Sequence, residues 1–505
     1  MSAAQITEVS GPTGTETATS GHGEEPHLAR SLSNRHIQMI AIGGAIGTGL
    51  FMGSGRTISV AGPAILFVYG IIGFFLFFVM RAMGEILLSN LQYKSFGDFA
   101  GDILGPWAGF LTAWSYWFYW VVVGVADIVA ITAYVQVLMP GTPLWLPALV
   151  VPVLLLSLNL PTVAAFGEME FWFAIIKVVA ILALIATGAV MIGTHFASPD
   201  GAVASLSNIW KDGGMFPHGA LGFVLGFQIA IFAFGGIELV GTAAAETKDP
   251  EKNMPRAINS IPIRVMLFYV GALTVIMAVN PWRTIDPESS PFIGMFTLAG
   301  IGIAAVAINL VVLTSAASSA NSGIYSTSRM IYGLAGHGNA PRTFGKLSKR
   351  KVPQNALLFS CVFMLFGLVM LYAGDSAMGA FVVVTSLGSV IIIFTWSMIM
   401  VSYLVYRRRR PQLHAASAFK LPGSKFMPQV TLAFFALMIV ALAQDADTRP
   451  GLYVFPIWLL LMGVAWYFNR QTPLQQARIE EWKSEAAAEK RALAENAQAE
   501  SGAIR

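Results

Sequence analysis

Of 505 residues, 55% are hydrophobic and only 11% charged, whereas charge makes up roughly a quarter of an ordinary soluble domain; a water-soluble globule is excluded. The formal charge of +4 would admit a nucleic-acid partner, but its placement in alternate loops, set out below, argues against one. A single cysteine, Cys361, leaves no intrachain disulfide to form. The class that remains is an all-α integral membrane protein in a lipid bilayer.

From Ser2 to Pro26 the chain is rich in Ser, Thr, Gly and Glu and has no apolar core, so residues 1–34 read as a disordered tail, not a signal peptide or a span. Apolar runs on the scale of a bilayer crossing then follow in twelve places: 37–58, 63–88, 106–138, 144–160, 171–192, 219–244, 261–279, 292–330, 355–372, 378–406, 428–443 and 453–468. The eighth has room for a short outer helix. Basic residues crowd every second connection: Lys248, Lys252, Arg256 and Arg264; Arg342, Lys346, Lys349, Arg350 and Lys351; Arg407 to Arg410, Lys420 and Lys425. The intervening loops and span edges hold Arg56, Lys211, Arg283 and Arg449. Crowded loops face the cytoplasm, and an even number of spans, with Arg30 and Arg35 ahead of the first, places both termini there. The expected divisions are the tail 1–34, a ten-helix core 35–406, a basic loop with two appended spans 407–470, and a tail 471–505. In that last tail Glu481, Glu485 and Glu489 recur at helical spacing, the pattern of a short exposed helix.

The first span is interrupted. Gly43-Gly44-Ala45-Ile46-Gly47-Thr48-Gly49 places four glycines in seven residues, and glycine has the weakest helix propensity after proline, so the helix is predicted to break. A break at membrane depth frees N–H and C=O groups that hydrocarbon cannot satisfy. Amides near a half-helix N-terminus suit a carboxylate, and unwound carbonyls suit an ammonium group. A zwitterion is then the natural guest, with a glycine-mediated helix crossing as the alternative. The sixth span repeats the pattern at Phe232-Ala233-Phe234-Gly235-Gly236-Ile237-Glu238. Two breaks five helices apart point to an inverted repeat of five plus five helices with its binding site between them.

Five ionisable residues other than histidine are expected well inside spans: Arg81, Glu85, Asp127, Lys177 and Glu238. Each costs at least ~2.5 kcal/mol at a helix centre, so each is a functional candidate. Arg81 and Glu85, four apart on one face, read as a structural ion pair. Lys177 either snorkels to the interface or supplies a fixed protonatable charge where a symporter would otherwise bind sodium. Asp127 relays that proton or makes a polar contact to a neighbouring helix. Glu238 stands directly behind the second break as an acid or gate.

Other chemistry is sparse. No phosphate-cradling Gly-x-x-x-x-Gly-Lys loop is present, which argues against ATP as the energy source. His36, His195, His218, His337 and His414 fall singly in loops or at span edges, which argues against a metal site. Neither a cofactor nor a catalytic residue is expected. The hydroxyl-rich run Thr314 to Ser322 reads as close helix packing. Trp114, Tyr116, Trp117, Tyr119 and Trp120 read as an interface belt or packing face.

At Ile42-Gly43-Gly44-Ala45-Ile46-Gly47-Thr48-Gly49-Leu50-Phe51 the chain resembles the amino acid transporter family of the amino acid, polyamine and organocation superfamily. The likeness continues through Arg81-Ala82-Met83-Gly84-Glu85, Phe171-Trp172-Phe173-Ala174-Ile175-Ile176-Lys177, Gly236-Ile237-Glu238-Leu239-Val240-Gly241 and Glu246-Thr247-Lys248-Asp249-Pro250. A closer likeness, to members that carry D-serine, D-alanine and glycine, runs through Leu32-Ser33-Asn34-Arg35-His36 and Tyr93-Lys94-Ser95-Phe96. The resemblance implies a leucine-transporter-like fold and proton-driven uptake of small zwitterionic amino acids across the bacterial cytoplasmic membrane. It implies that the substrate carboxylate meets Gly47, Thr48 and Gly49, and that the amino group meets carbonyls of Ala45, Phe232 and Gly235. Ile46, Ala233, Phe234 and Gly236 complete the implied pocket, and Lys177 takes the second sodium site. Where many members carry glutamate this chain has Asp127, with a shorter reach. A permease for L-alanine, L-serine or GABA, or a sensor that binds without moving its ligand, stays open.

Overall fold

The computed structural model describes residues 35, 39, 43–44, 46–93, 95–161, 163–199, 201–242, 249–300, 302–373 and 376–503; the tail expected over 1–34 lies outside them. Every regular element described is helical, beside one isolated bridge between Ala197 and Val203. In chain order we label α1 (Thr48–Phe51), α2 (Gly53–Ala61), α3 (Ile65–Ser89), α4 (Phe96–Leu104), α5 (Pro106–Leu138), α6 (Trp145–Asn159), α7 (Val163–Gly193), α8 (Gly219–Leu225), α9 (Phe227–Phe232) and α10 (Leu239–Thr242). There follow α11 (Pro250–Asn259), α12 (Ala272–Val279), α13 (Pro291–Leu298), α14 (Gly302–Gly336), α15 (Gln354–Met364), α16 (Phe366–Ala373), α17 (Ala377–Arg409), α18 (Met427–Leu442), α19 (Arg449–Asn469) and α20 (Pro473–Ala503). Eight described helical stretches are long and apolar enough to cross a membrane; Trp145–Asn159, Gly219–Phe232 and Met427–Leu442 are apolar but shorter.

Local sequence sets the helix ends. α4 opens with a capping box between Ser95 and Asp98. Gly105, at φ 114°, then turns the chain and Pro106 starts α5. At the start of α17 the Gly379 amide donates to the Ser376 hydroxyl at 3.0 Å; Arg407, Arg408 and Arg409 fill its last turn, where the helix dipole favours cations. The long apolar run 292–330 divides at Gly300, φ 71°, into α13 and α14.

α5 and α17 occupy the centre. Each is 72% buried over its most apolar window, against 11% for α19. α5 packs along both α14 and α17, while α19 turns Tyr453, Ile457, Leu460 and Phe468 outward. Such a face suits hydrocarbon, not water.

Two elements depart from expectation. α7 starts at Val163, not Phe171. Hydropathy stops at the charges Glu168 and Glu170, but hydrogen bonding does not: Arg35 donates to Glu168 at 2.8 Å and Ser318 to Glu170 at 2.8 Å. The tail expected to hold a short exposed helix forms the 31-residue α20, tied down along its first half. Gln475 and Arg478 donate to the His337 carbonyl at 2.7 and 2.9 Å, and Trp482 Nε1 donates to the Asp102 carbonyl at 2.8 Å. Glu489 pairs with Arg409 and Arg410 at 2.7 and 2.8 Å. α20 thereby straps α4 and the ends of α14 and α17 together.

Candidate functional site: two facing helix breaks

The glycine-rich stretch is non-helical where it matters. Ile46 and Gly47 are bends, and Gly47 is extended at φ −125°, ψ −164°. Its carbonyl accepts the Leu50 and Phe51 amides at 3.2 and 3.3 Å, and Met52 N to Thr48 O at 2.8 Å carries α1 into α2. Thr48 and Gly49 therefore head a new helix, where backbone amides have no intrahelical acceptor. The Ile46 carbonyl accepts the Ser315 hydroxyl at 3.0 Å. Ala45 lies outside the described residues.

The second interruption runs from Ala233 to Glu238 as consecutive turns between α9 and α10. Gly236 sits at φ 101°, a conformation that other residues rarely hold. Its amide donates to both carboxylate oxygens of Glu238 at 3.2 Å, and Tyr116 adds a bond to Glu238 at 3.1 Å. The Ala233 carbonyl accepts from Tyr269 at 2.9 Å. Phe232 packs edge-on to Phe381, and Phe234 stacks on Tyr269 with centroids 4.7 Å apart. Their rings thus lie in the surrounding helices, and Glu238 receives the amide that the break sets free.

The two interruptions meet backbone to backbone. A Cβ on Gly236 would stand 2.2 Å from the Gly44 carbonyl oxygen, and one on Gly49 would stand 2.5 Å from Ala233 Cα. Gly235 abuts the Tyr119 hydroxyl. Around this contact sits a buried polar shell. Thr48 donates to Asp127 Oδ1 at 2.7 Å, and Lys177 Nζ donates to the Gly43 carbonyl at 2.8 Å. Ser319 Oγ lies 3.5 Å from a Cβ built on Gly47. Lys177 is buried and interacts electrostatically with Asp127 and with Glu170, so it does not snorkel.

Arg81 and Glu85 make no direct salt bridge among the described residues, although the Glu85 charge acts on Arg81, and each side chain hydrogen-bonds elsewhere. Glu85 accepts from Tyr403 at 2.8 Å and from the Leu421 amide at 2.7 Å, and His414 Nδ1 lies 2.6 Å away. Arg81 donates to Asn259 at 2.9 Å and to the Lys420 carbonyl, and its guanidinium lies 3.8 Å from the Phe419 ring centre. Both residues anchor the basic loop to α3, away from the breaks.

Sequence reasoning missed Glu170, Ser315, Ser318, Ser319 and Tyr269. For Glu170 a signal existed: it lies seven residues before Lys177, hence on the same helical face, but outside the apolar run. The hydroxyl run likewise aims Ser315 and Ser319, four apart, at the first break. Of the aromatic cluster, Tyr116 and Tyr119 press against the second break, which makes this side of α5 a packing face.

The model of the amino acid permease family matches residues 36–479. The chain belongs to the amino acid permease family. This permease is 61% identical over 444 residues to the D-serine/D-alanine/glycine transporter of Escherichia coli (strain K12), covering 88% of this chain and 94% of that protein. It is 50% identical to an amino-acid permease of Bacillus subtilis (strain 168), over 87% of this chain and 95% of the other. An aromatic amino acid transport protein of Escherichia coli O6:H1 is 40% identical, over 89% and 97%. The permease is thus a multi-pass membrane protein of a transporter family, not an enzyme.

Proposed function

We propose that this permease is a proton-coupled secondary active symporter that imports glycine, D-alanine and D-serine, with L-alanine and D-cycloserine as further candidates of similar size. The observation that carries the reading is the backbone contact between the two interrupted helices, with Thr48–Asp127 and Lys177–Gly43 beside it. Parting the two stretches would open a gap floored by helix-heading amides and unwound carbonyls. Amides and the Thr48 hydroxyl would take a carboxylate; the carbonyls near Phe232 and Gly235 would take an ammonium group. The relative that carries D-serine, D-alanine and glycine supports the choice of small guests.

The finer architecture belongs to the same proposal: twelve spans in the bacterial cytoplasmic membrane, both termini inside, and a leucine-transporter-like five-plus-five repeat. α18 and α19 are the appended pair, and no metal or organic cofactor takes part. Lys177 serves as the fixed charge in place of sodium, with Asp127 next to it and Glu238 behind the second break.

The test is glycine flux in proteoliposomes. Accumulation above the external concentration under an imposed pH gradient is expected, with strong competition by D-alanine and D-serine and weak competition by arginine and tryptophan. Binding without flux would make the chain a sensor; competition by L-alanine, L-serine or GABA alone would make it a different neutral amino acid permease. Lys177→Ala is expected to lose gradient-driven accumulation while retaining glycine exchange.

A further inference from the structure

We propose that Glu170 is a proton-coupling residue of this permease and shares the transported proton with Lys177 and Asp127. The inference rests on the symport reading above. Glu170 and Lys177 stand seven residues apart on α7, two turns on one face. Both converge on Gly43: Lys177 Nζ donates to its carbonyl at 2.8 Å, and Glu170 Oε1 stands 3.1 Å from a Cβ built there. Glu170 is fully buried. Its Oε1 accepts from Ser318 at 2.8 Å, whereas Oε2 has no hydrogen-bond partner among the described residues.

A buried carboxylate oxygen without a donor is costly, and binding a proton removes that cost by neutralising the group. Asp127 shows the same asymmetry: Oδ1 takes the Thr48 hydroxyl and Oδ2 has no hydrogen-bond partner among the described residues. One amine therefore serves two acids, each with one open oxygen. The two acids hold opposite sides of the first break, Glu170 against Gly43 before it and Asp127 on Thr48 after it. Fully ionised, the cluster has one positive and two negative charges, an imbalance that a low-dielectric interior resists. One added proton balances it.

Among the described residues packed around Glu170, no other charge faces it at close range. On α14 the groups facing Glu170 are the hydroxyls of Ser318 and Ser322, and the next charge on that helix is Arg329. Tyr325 on α14 stacks on Phe166, with centroids 3.7 Å apart. Among the elements packed on α7, α12 and α13 hold no ionisable residue, and Tyr269 directs its hydroxyl to Ala233. The Arg35–Glu168 pair lies exposed near the start of α7. Loading forms an O–H bond with a proton from the outer solution, release returns that proton to the inner solution, and nothing is oxidised or reduced.

The test uses the full chain in proteoliposomes, with glycine accumulation under a pH gradient and glycine exchange without one, each across a pH series. Glu170→Gln is expected to lower accumulation at least about tenfold while exchange stays within about twofold, as for loss of one charged hydrogen-bonding group from a coupling step. Its exchange should also become less dependent on pH. Glu170→Asp, which keeps the acid but withdraws it from Gly43, should accumulate glycine with a displaced pH profile. Unchanged accumulation and pH profile in Glu170→Gln would overturn the inference and leave symport standing. Equal loss of exchange and accumulation in both variants would assign Glu170 to helix packing and also overturn it. Should Glu170→Gln fail to fold, the Glu170→Asp profile decides: displacement supports the role, and an unchanged profile rejects it. If the unsubstituted chain accumulates no glycine under the gradient, the symport reading itself fails, and the inference with it.

Discussion

The Thr48 hydroxyl joins the first break to α5 through a single bond to Asp127, and both ends are buried. Hydrogen bonds to charged groups contribute about 1.5–3 kcal/mol. Thr48→Val, which keeps the shape and removes the donor, is expected to cut glycine uptake about 10- to 100-fold at equal membrane expression, whereas Thr48→Ser should retain most of it. A sharper contrast comes from two glycines. Gly49→Ala would drive a methyl group into the backbone of Ala233, 2.5 Å away, while a methyl group at Gly70 meets nothing within 4 Å. Uptake should fall to background in the first variant and stay near normal in the second. Asp127 and Lys177 stood out in the sequence as charges inside apolar runs, whereas Thr48 entered through the glycine-rich break and the family resemblance. Glu170 stood out less, because it lies just outside the apolar run beside Glu168, so its spacing from Lys177 went unread, and its bond from Ser318 is a tertiary contact.

Among the elements, α20 departs furthest from a reading by composition. A tail of Ala, Glu, Lys and Arg carries no signal for docking, since its anchors are single residues whose partners lie far off in the chain, Trp482 on Asp102 380 positions away and Glu489 on Arg409 and Arg410 80 and 79 away. Arg81 and Glu85 show the limit of helical spacing: the Glu85 charge acts on Arg81, yet the direct hydrogen bonds of both side chains go to tertiary partners. Within the strap, burial pushes the Asp102 carboxyl up, but hydrogen bonds from Arg410 and Tyr93 and the Arg410 charge outweigh it and hold Asp102 below its ordinary range. A carboxyl depressed in the folded state stabilises fully above its unfolded value and loses that contribution as pH falls through the folded one. The strap should therefore hold at neutral pH and weaken only below about pH 4. Asp102→Asn is expected to lower stability by about 1.5–3 kcal/mol at neutral pH, with the difference from the unsubstituted chain shrinking in acid. Thermal unfolding in detergent across a pH series measures both.

At the scale of the whole molecule, the helical class was legible, because bilayer length is a local property, and non-helical residues fall at Ile46–Gly47 and Ala233–Glu238, inside the glycine-rich stretches the sequence singles out. What stayed hidden is which surfaces meet: nothing local to Gly44 or Gly236 says that they touch. The strap has a consequence for handling the protein. Arg470 is exposed in the short connection between α19 and α20, so trypsin should be able to sever the chain there while leaving every apolar helix intact. The severed segment would still be gripped by Asp102, Arg409, Arg410 and His337. It should co-purify as a non-covalent fragment until acid or concentrated salt sets it adrift.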